Sequence, residues 1–297
     1  MKLKRKIRNK KIKNILIVGL GKMGNSHLES FLTKNNEFNF IYLIDKDKKK
    51  LKTVKKKVSK FHNNKFFISR KLPKENFFDF VIIATNPKER YQVAKELIFK
   101  NKIKNILFEK FLFNKISEYS KMKKILKKKK IKAFVNIWSL ILMNRIGFKS
   151  KKKNLNIKIQ VSNNHILTNL IHFYELFRII NGKNIYLNFD EFKIKKKKSY
   201  FEGNGIVTLK GSKSNNNKMV IETNNKVKVF KILVNHKKID FKITYKNGKL
   251  IKSNSKKKID FPLASKTTSL FFQKLMQKKY FNDIEFPTFI NSSIHSK

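Results

Sequence analysis

The sequence predicts an α/β chain of two domains, an N-terminal parallel sheet wrapped by helices and a C-terminal α+β domain with an open, mostly antiparallel sheet. Three observations lead there. Gly19, Gly21 and Gly24 sit between a short apolar run and a segment of helical spacing. Apolar runs then alternate with helical patterns as far as Val135, which implies right-handed crossovers between parallel strands. Beyond about Asn136 the runs are short, and their separators carry the Asn, Gly and Ser of hairpin turns. The expected boundary therefore divides residues 1–135 from 136–297.

Taken in order, Ile15–Val18 is the first buried strand, and Leu28, Phe31 and Leu32 mark one face of the helix that follows it. Phe40–Ile44 is a second strand ending in Asp45. A helix then places Leu51, Val54 and Val58 together. Phe66–Ile68 and Phe80–Ala84 are the next strands, the latter running into Thr85-Asn86-Pro87 and a helix to Lys100. Ile106–Phe108 and Ala133–Val135 complete the set, with a helix over Ile116–Lys128 between them. In the second half the expected elements are a strand at Ile157–Val161, a helix at Leu170–Ile180, and strands at Gly205–Lys210, Lys218–Glu222, Lys226–Val234 and Ile239–Tyr245. A last helix, Thr268–Lys279, precedes a tail containing Pro287.

Composition bounds the function classes. The chain has 297 residues, 40% of them hydrophobic, enough for a sizeable core, and no apolar run reaches the roughly 18 residues of a membrane span. Its basic first 13 residues are followed by the apolar run Ile15–Val18, which leads straight into the glycines and reads as a strand, not a targeting segment. With no cysteine, disulfides and thiol chemistry are excluded, and a cytoplasmic setting is expected. The net charge of +53 invites a polyanion partner, yet only six of the 72 basic residues are arginine. Phosphate and base readout favour arginine's planar fork, and the lysines are scattered along the whole chain, so a solvated surface is expected and no specific nucleic acid.

The glycine triplet gains meaning from its context. Gly19 permits a tight turn out of the strand, Gly21 a close approach of backbone to a pyrophosphate, and Gly24 close packing of helix on strand. The phosphates face the helix N-terminus, so Leu20, Lys22 and Met23 join the expected cofactor residues. Asp45, 21 residues after Gly24, is placed to accept hydrogen bonds from the adenosine ribose, which points to NAD. NADP stays open, because Lys46 and Lys48 can neutralise a 2′-phosphate. The first domain is thus expected to be a Rossmann dinucleotide-binding domain.

These residues resemble the Gfo/Idh/MocA family of NAD(P)-dependent oxidoreductases. Gly19, Gly21, Gly24 and His27 match its opening G-x-G-x-x-G-x-x-H, and Ala84-Thr85-Asn86-Pro87 its A-T-x-P-type turn. Glu109-Lys110-Phe111 stands where the family has E-K-P, without the proline. Thr168 to Glu175 resembles the family's D-x-x-x-H-x-x-D pattern around His172, with Thr168 and Glu175 at the two aspartate positions. With Asn169, the segment Phe108–Phe113 and the segment Ser199–Gly203, the likeness is to a subgroup encoded with surface-polysaccharide genes. The resemblance implies a hydride-transfer enzyme acting on a sugar or nucleotide-sugar. It implies cofactor contacts from Ala84, Thr85, Asn86, Glu109 and Lys110, and a homo-oligomer formed through the C-terminal sheet.

Elementary chemistry supports the same roles. Removing hydride from a secondary alcohol requires its hydroxyl proton to leave, which makes His172 the candidate base. Lys110 can hold the developing oxygen charge, and Asn169, three residues before His172 on one helical face, can bond the substrate. No metal is expected, since no His, Asp and Glu spacing fits a ligand set. The rival expectations are an NAD-binding sensor or scaffold without turnover, motivated by Thr168 and the missing proline, and a polyanion-binding protein, motivated by the charge.

Overall fold

The computed structural model describes residues 13–32, 39–62, 65–139, 142, 154–163, 165–182, 185–196, 201–211, 216–228, 230–236, 239–246, 249–252, 258–260, 268–269 and 271–272. The chain divides into two compact units, residues 1–136 with 264–297, and residues 137–263.

In the first unit, β1 (Lys13–Val18), β2 (Asn39–Ile44), β3 (Lys65–Ser69), β5 (Phe80–Ile83), β7 (Asn105–Phe108) and β8 (Lys132–Val135) form a parallel sheet in the order β3-β2-β1-β5-β7-β8. Two-residue strands β4 (Phe77–Phe78) and β6 (Lys102–Ile103) pair separately and were not expected. The helices are α1 (Lys22–Phe31), α2 (Lys48–Val58), α3 (Pro87–Lys100) and α4 (Ile116–Lys128). Every residue of β5 and β7 is buried, as is β1 from Ile15 onward, which is why these strands read as unbroken apolar runs and not as alternations. Each fully buried Ile or Leu there contributes roughly 1.5–3 kcal/mol. The order reverses at β1, whose neighbours are β2 and β5, and this opens a crevice at the carboxyl ends of the strands.

The sequence reading assigned everything after residue 135 to a second domain, but Thr268, Ser269, Phe271 and Phe272 return to the first unit. The cause is aromatic packing: Phe271 meets Phe134 at 5.0 Å, and Phe272 meets Phe80 at 5.1 Å and Phe31 at 6.1 Å. The N-terminal residues to 12, Ser199 and Tyr200, the rest of the expected helix to Lys279, and Pro287 lie outside the described residues.

In the second unit, strands β9 (Asn156–Val161), β10 (Tyr186–Lys196), β11 (Phe201–Lys210), β12 (Lys218–Thr223), β13 (Phe230–His236), β14 (Ile239–Lys246), β15 (Lys249–Lys252) and β16 (Lys258–Asp260) form one sheet, ordered β10-β11-β12-β9-β13-β14-β15-β16. Only the β12–β9 pair is parallel. Helix α5 (Ile166–Asn181), longer than expected, packs on β11 and β12, and its Phe173, Leu176, Phe177 and Ile180 are buried. The sequence reading missed β10. It is an edge strand exposed along both faces, so it carries no alternation of buried and solvated residues to betray it.

Candidate functional site

The turn after β1 is held close to its neighbours at two points. Gly19 has φ of +90°, and a Cβ there would lie 2.7 Å from the Ala84 backbone. A Cβ on Gly24 would meet the Gly19 carbonyl at 1.8 Å, so α1 approaches the turn as closely as backbone allows. Gly21 differs, because a Cβ there would meet nothing within 4 Å. Gly21 is also the residue before α1, and it brings no side-chain cap, so the first-turn N–H groups of the helix, from Lys22 onward, are left for an anion.

Asp45, at the end of β2, is buried and closes the other side. One carboxylate oxygen accepts from Leu20 N–H at 2.7 Å and the other from Asp47 N–H at 2.9 Å, while Lys50 Nζ lies 3.6 Å away. A cavity of about 530 Å³ opens here, walled by Gly19, Gly21, Asp45, Ala84, Thr85 and Asn86 among others. The structure therefore brings these sequence-predicted residues together at the strand crevice. Asn86 spends its side chain on Lys88 N–H, capping α3, so it offers the cavity mainly backbone. Thr85 lines the cavity, while its hydroxyl is buried within the wall with no hydrogen-bond partner. An unfilled space at Gly21 and an uncapped helix both fit a dinucleotide.

The same walls include cations that the sequence reading placed only in part. Lys46 lines the cavity and pairs with Glu89, and Lys50, rather than the exposed Lys48, is the second lysine there. Arg70, from the end of β3, lines it as well and donates to the Lys46 carbonyl at 3.2 Å. No periodicity signals Arg70, which meets Lys46 only through the β2–β3 pairing.

Glu109 takes a different place from the one expected of it. Its side chain faces a buried network, not the cavity: His27 Nε2 donates at 2.7 Å, and Asn136 Nδ2 donates to the same oxygen. His27, fully buried, also meets Thr268 Oγ1 through Nδ1 at 2.7 Å. Burial by itself pushes the Glu109 carboxyl up. The bond and charge of His27, the Asn136 bond and nearby Arg90 outweigh it and hold the group below the usual carboxylate range. Lys110, half-buried, follows directly at the end of β7.

In the second unit, α5 carries both remaining candidates. Asn169 donates to the His165 carbonyl at 2.8 Å. His172 is buried, its ring stacked 4.6 Å from Trp138, and its Nδ1 accepts from Trp138 N–H at 3.3 Å. Thr168, at the position of a family aspartate, has its N–H held at 2.6 Å by the buried Glu202 of β11. Glu175 forms a two-pronged pair with Arg178, both bonds 2.7 Å, which makes it a structural acid. Among the described residues no three His, Asp or Glu side chains gather to hold a metal.

Residues 13–137 match the family described as Oxidoreductase family, NAD-binding Rossmann fold, the Gfo/Idh/MocA family. No curated relative matches the chain in sequence. Among solved structures it is similar to the WlbA dehydrogenase of Bordetella pertussis in complex with NADH and UDP-GlcNAcA, at 11% identity and a TM-score of 0.64, covering 96% of this chain and 93% of that one. An oxidoreductase of Agrobacterium radiobacter in complex with NAD+, L-tartaric acid and magnesium aligns at 12% identity and a TM-score of 0.60, over 96% and 93% of the two chains. A super-repressor mutant of Gal80p from Saccharomyces cerevisiae aligns at 12% and 0.68, over 96% and 94%. Over residues 13–137, through the glycine turn, Asp45 and the parallel sheet, the chain matches the NAD-binding Rossmann fold of the Gfo/Idh/MocA oxidoreductase family.

Proposed function

We propose that this chain moves a hydride between nicotinamide and a hydroxyl or keto carbon of a sugar or nucleotide-sugar. The observation that carries the reading is the cavity at the β1–β5 crevice, where an uncapped helix N-terminus, an open Gly21 and the buried Asp45 converge. Asp45 offers its carboxylate to the adenosine ribose, the α1 N-terminus holds the pyrophosphate, and Thr85 meets the cofactor from the β5 side. The cofactor supplies the hydride chemistry. Lys110 holds the substrate oxygen and neutralises charge developing on it, and Asn169 fixes the substrate's orientation. His172 is the base that takes the hydroxyl proton as an alcohol is oxidised to a carbonyl, becoming an imidazolium that returns the proton in the reverse direction.

The sugar class draws its support from WlbA, described with UDP-GlcNAcA, and from the likeness to the surface-polysaccharide subgroup. A cytoplasmic setting is part of the proposal; among the described residues no helix is long and apolar enough to cross a membrane. So is self-association through the second unit's sheet, since Tyr186, Leu187, Phe189 and Ile194 of its edge strand β10 are all exposed.

A second reading, a cofactor-binding regulator without turnover, draws on the shared fold of the Gal80p super-repressor and on Thr168 and Phe111 at departed motif positions. Incubating the purified chain with NAD+ or NADH and a panel of hexoses and UDP-sugars, followed by nicotinamide absorbance, separates the two. Turnover on any member supports the enzyme. Tight cofactor binding with no turnover across the panel favours the regulator.

A further inference from the structure

Arg90 is one of six arginines in a chain whose basic residues are otherwise lysine, and it is buried. It stands in the first turn of α3. From there its guanidinium reaches two loops: Nη2 donates to the Thr85 carbonyl after β5, and Nη1 donates to the carbonyls of Glu109 at 2.5 Å, Phe111, and Leu112 at 3.4 Å after β7. Burial lowers its pKa to about 10, with the Glu109 and Tyr119 charges opposing the fall, so it remains a cation at neutral pH. A buried guanidinium is costly, and here it is spent on main-chain carbonyls of the two turns that flank Lys110 and the cavity wall.

The sequence supplies the complement. Where the resembling family places a proline after the lysine, this chain has Phe111, a half-exposed residue that imposes no ring constraint on its own φ. We propose that Arg90 is a positioning residue which does by hydrogen bonding what the proline ring does covalently, holding the Glu109–Phe111 turn, and with it Lys110, at a fixed distance from Thr85. A lysine cannot replace it, because one ammonium lacks the planar fork that spans both loops.

The inference rests on the dinucleotide reading above, with Asp45 on the adenosine half, and adds to it that the Thr85 and Lys110 turns flank the nicotinamide half. Calorimetric titration with NADH and with ADP-ribose, which lacks the nicotinamide, is carried out on wild type, Arg90→Gln, Phe111→Pro and the double variant. Arg90→Gln is expected to weaken NADH about tenfold or more while ADP-ribose stays within about twofold, as loss of nicotinamide-side geometry requires. Phe111→Pro should recover much of that loss in the Arg90→Gln background and change little in the wild type. If Arg90→Gln fails to fold, Arg90→Lys takes its place, with the same expectation. An unchanged NADH affinity, or equal losses of both ligands with no recovery by proline, overturns the positioning role and leaves the cofactor site standing. Wild type that binds neither ligand overturns the dinucleotide reading, and this inference with it.

Discussion

His27 Nε2 lies 2.7 Å from the Glu109 carboxylate, and the pair, shut away from solvent, fastens helix α1 to the strand end that carries Lys110. Through Nδ1 the same ring holds Thr268, so the glycine turn's helix, the β7 turn and the C-terminal segment share one hydrogen-bonded centre. A second bond, from Ser269 N–H to Ser30 Oγ at 3.2 Å, repeats the link one helical turn along α1.

This centre makes stability depend on acid. The folded Glu109 carboxyl sits below its ordinary value, so in the folded state it binds a proton less readily than in the unfolded chain. Its contribution is present above the usual carboxylate range, near pH 4.3, and is lost as pH falls through the lower folded value. Glu109→Gln is expected to lose about 2 kcal/mol at neutral pH and to flatten the decline below about pH 4. Urea unfolding of both proteins at several pH values measures this, and parallel pH curves would refute it.

Asp45→Ala is expected to weaken NADH by about tenfold, one hydrogen-bonded carboxylate's worth, and NADPH by less. The asymmetry follows from Lys46, Lys50 and Arg70 around the site, which lose a competing carboxylate. Equal losses in fluorescence titrations would mean that Asp45 serves only to anchor Leu20 N–H, and that ribose recognition lies elsewhere.

His172→Ala should lower turnover by a factor of about 10² to 10⁴ while NADH affinity stays nearly constant. His172 is assigned no cofactor contact; it stacks on Trp138 and exchanges a proton with the substrate hydroxyl. Single-turnover kinetics beside equilibrium binding tests the division, which fails if NADH affinity collapses with the activity.

Sedimentation tests self-association through β10. Tyr186 is 68% exposed and Ile194 67%, on the strand that stands at the sheet's edge among the described residues. Tyr186→Lys with Ile194→Lys should shift the protein toward monomer without changing NADH affinity. An oligomer insensitive to both changes uses another surface.

The sequence disclosed what depends on local pattern. The fully buried runs of β1, β5 and β7 announced a parallel sheet, and Gly19, Gly24 and Asp45 announced the crevice, since spacing along the chain maps directly onto that turn. What stayed hidden depends on distant pairings. Arg70 meets Lys46, Glu202 meets Thr168 and Thr268 meets His27 across 24, 34 and 241 residues, and no periodicity carries such contacts. Glu109 was misplaced for the same reason: a motif names the residue but not the direction of its side chain. Arg90 left a faint trace, as one of only six arginines among 72 basic residues.

The central claim is that a dinucleotide lies against the backbone at Gly21. This glycine is the selective probe, since its φ of −69° suits any residue and an added Cβ meets nothing within 4 Å of the folded protein. Gly21→Leu should therefore leave thermal stability nearly unchanged while filling the space the pyrophosphate needs. Calorimetric titration of NADH is predicted to give one saturable site in the wild type and a loss of roughly a hundredfold in Gly21→Leu. No saturable binding to the wild type, or equal affinity in the two proteins, would contradict the account.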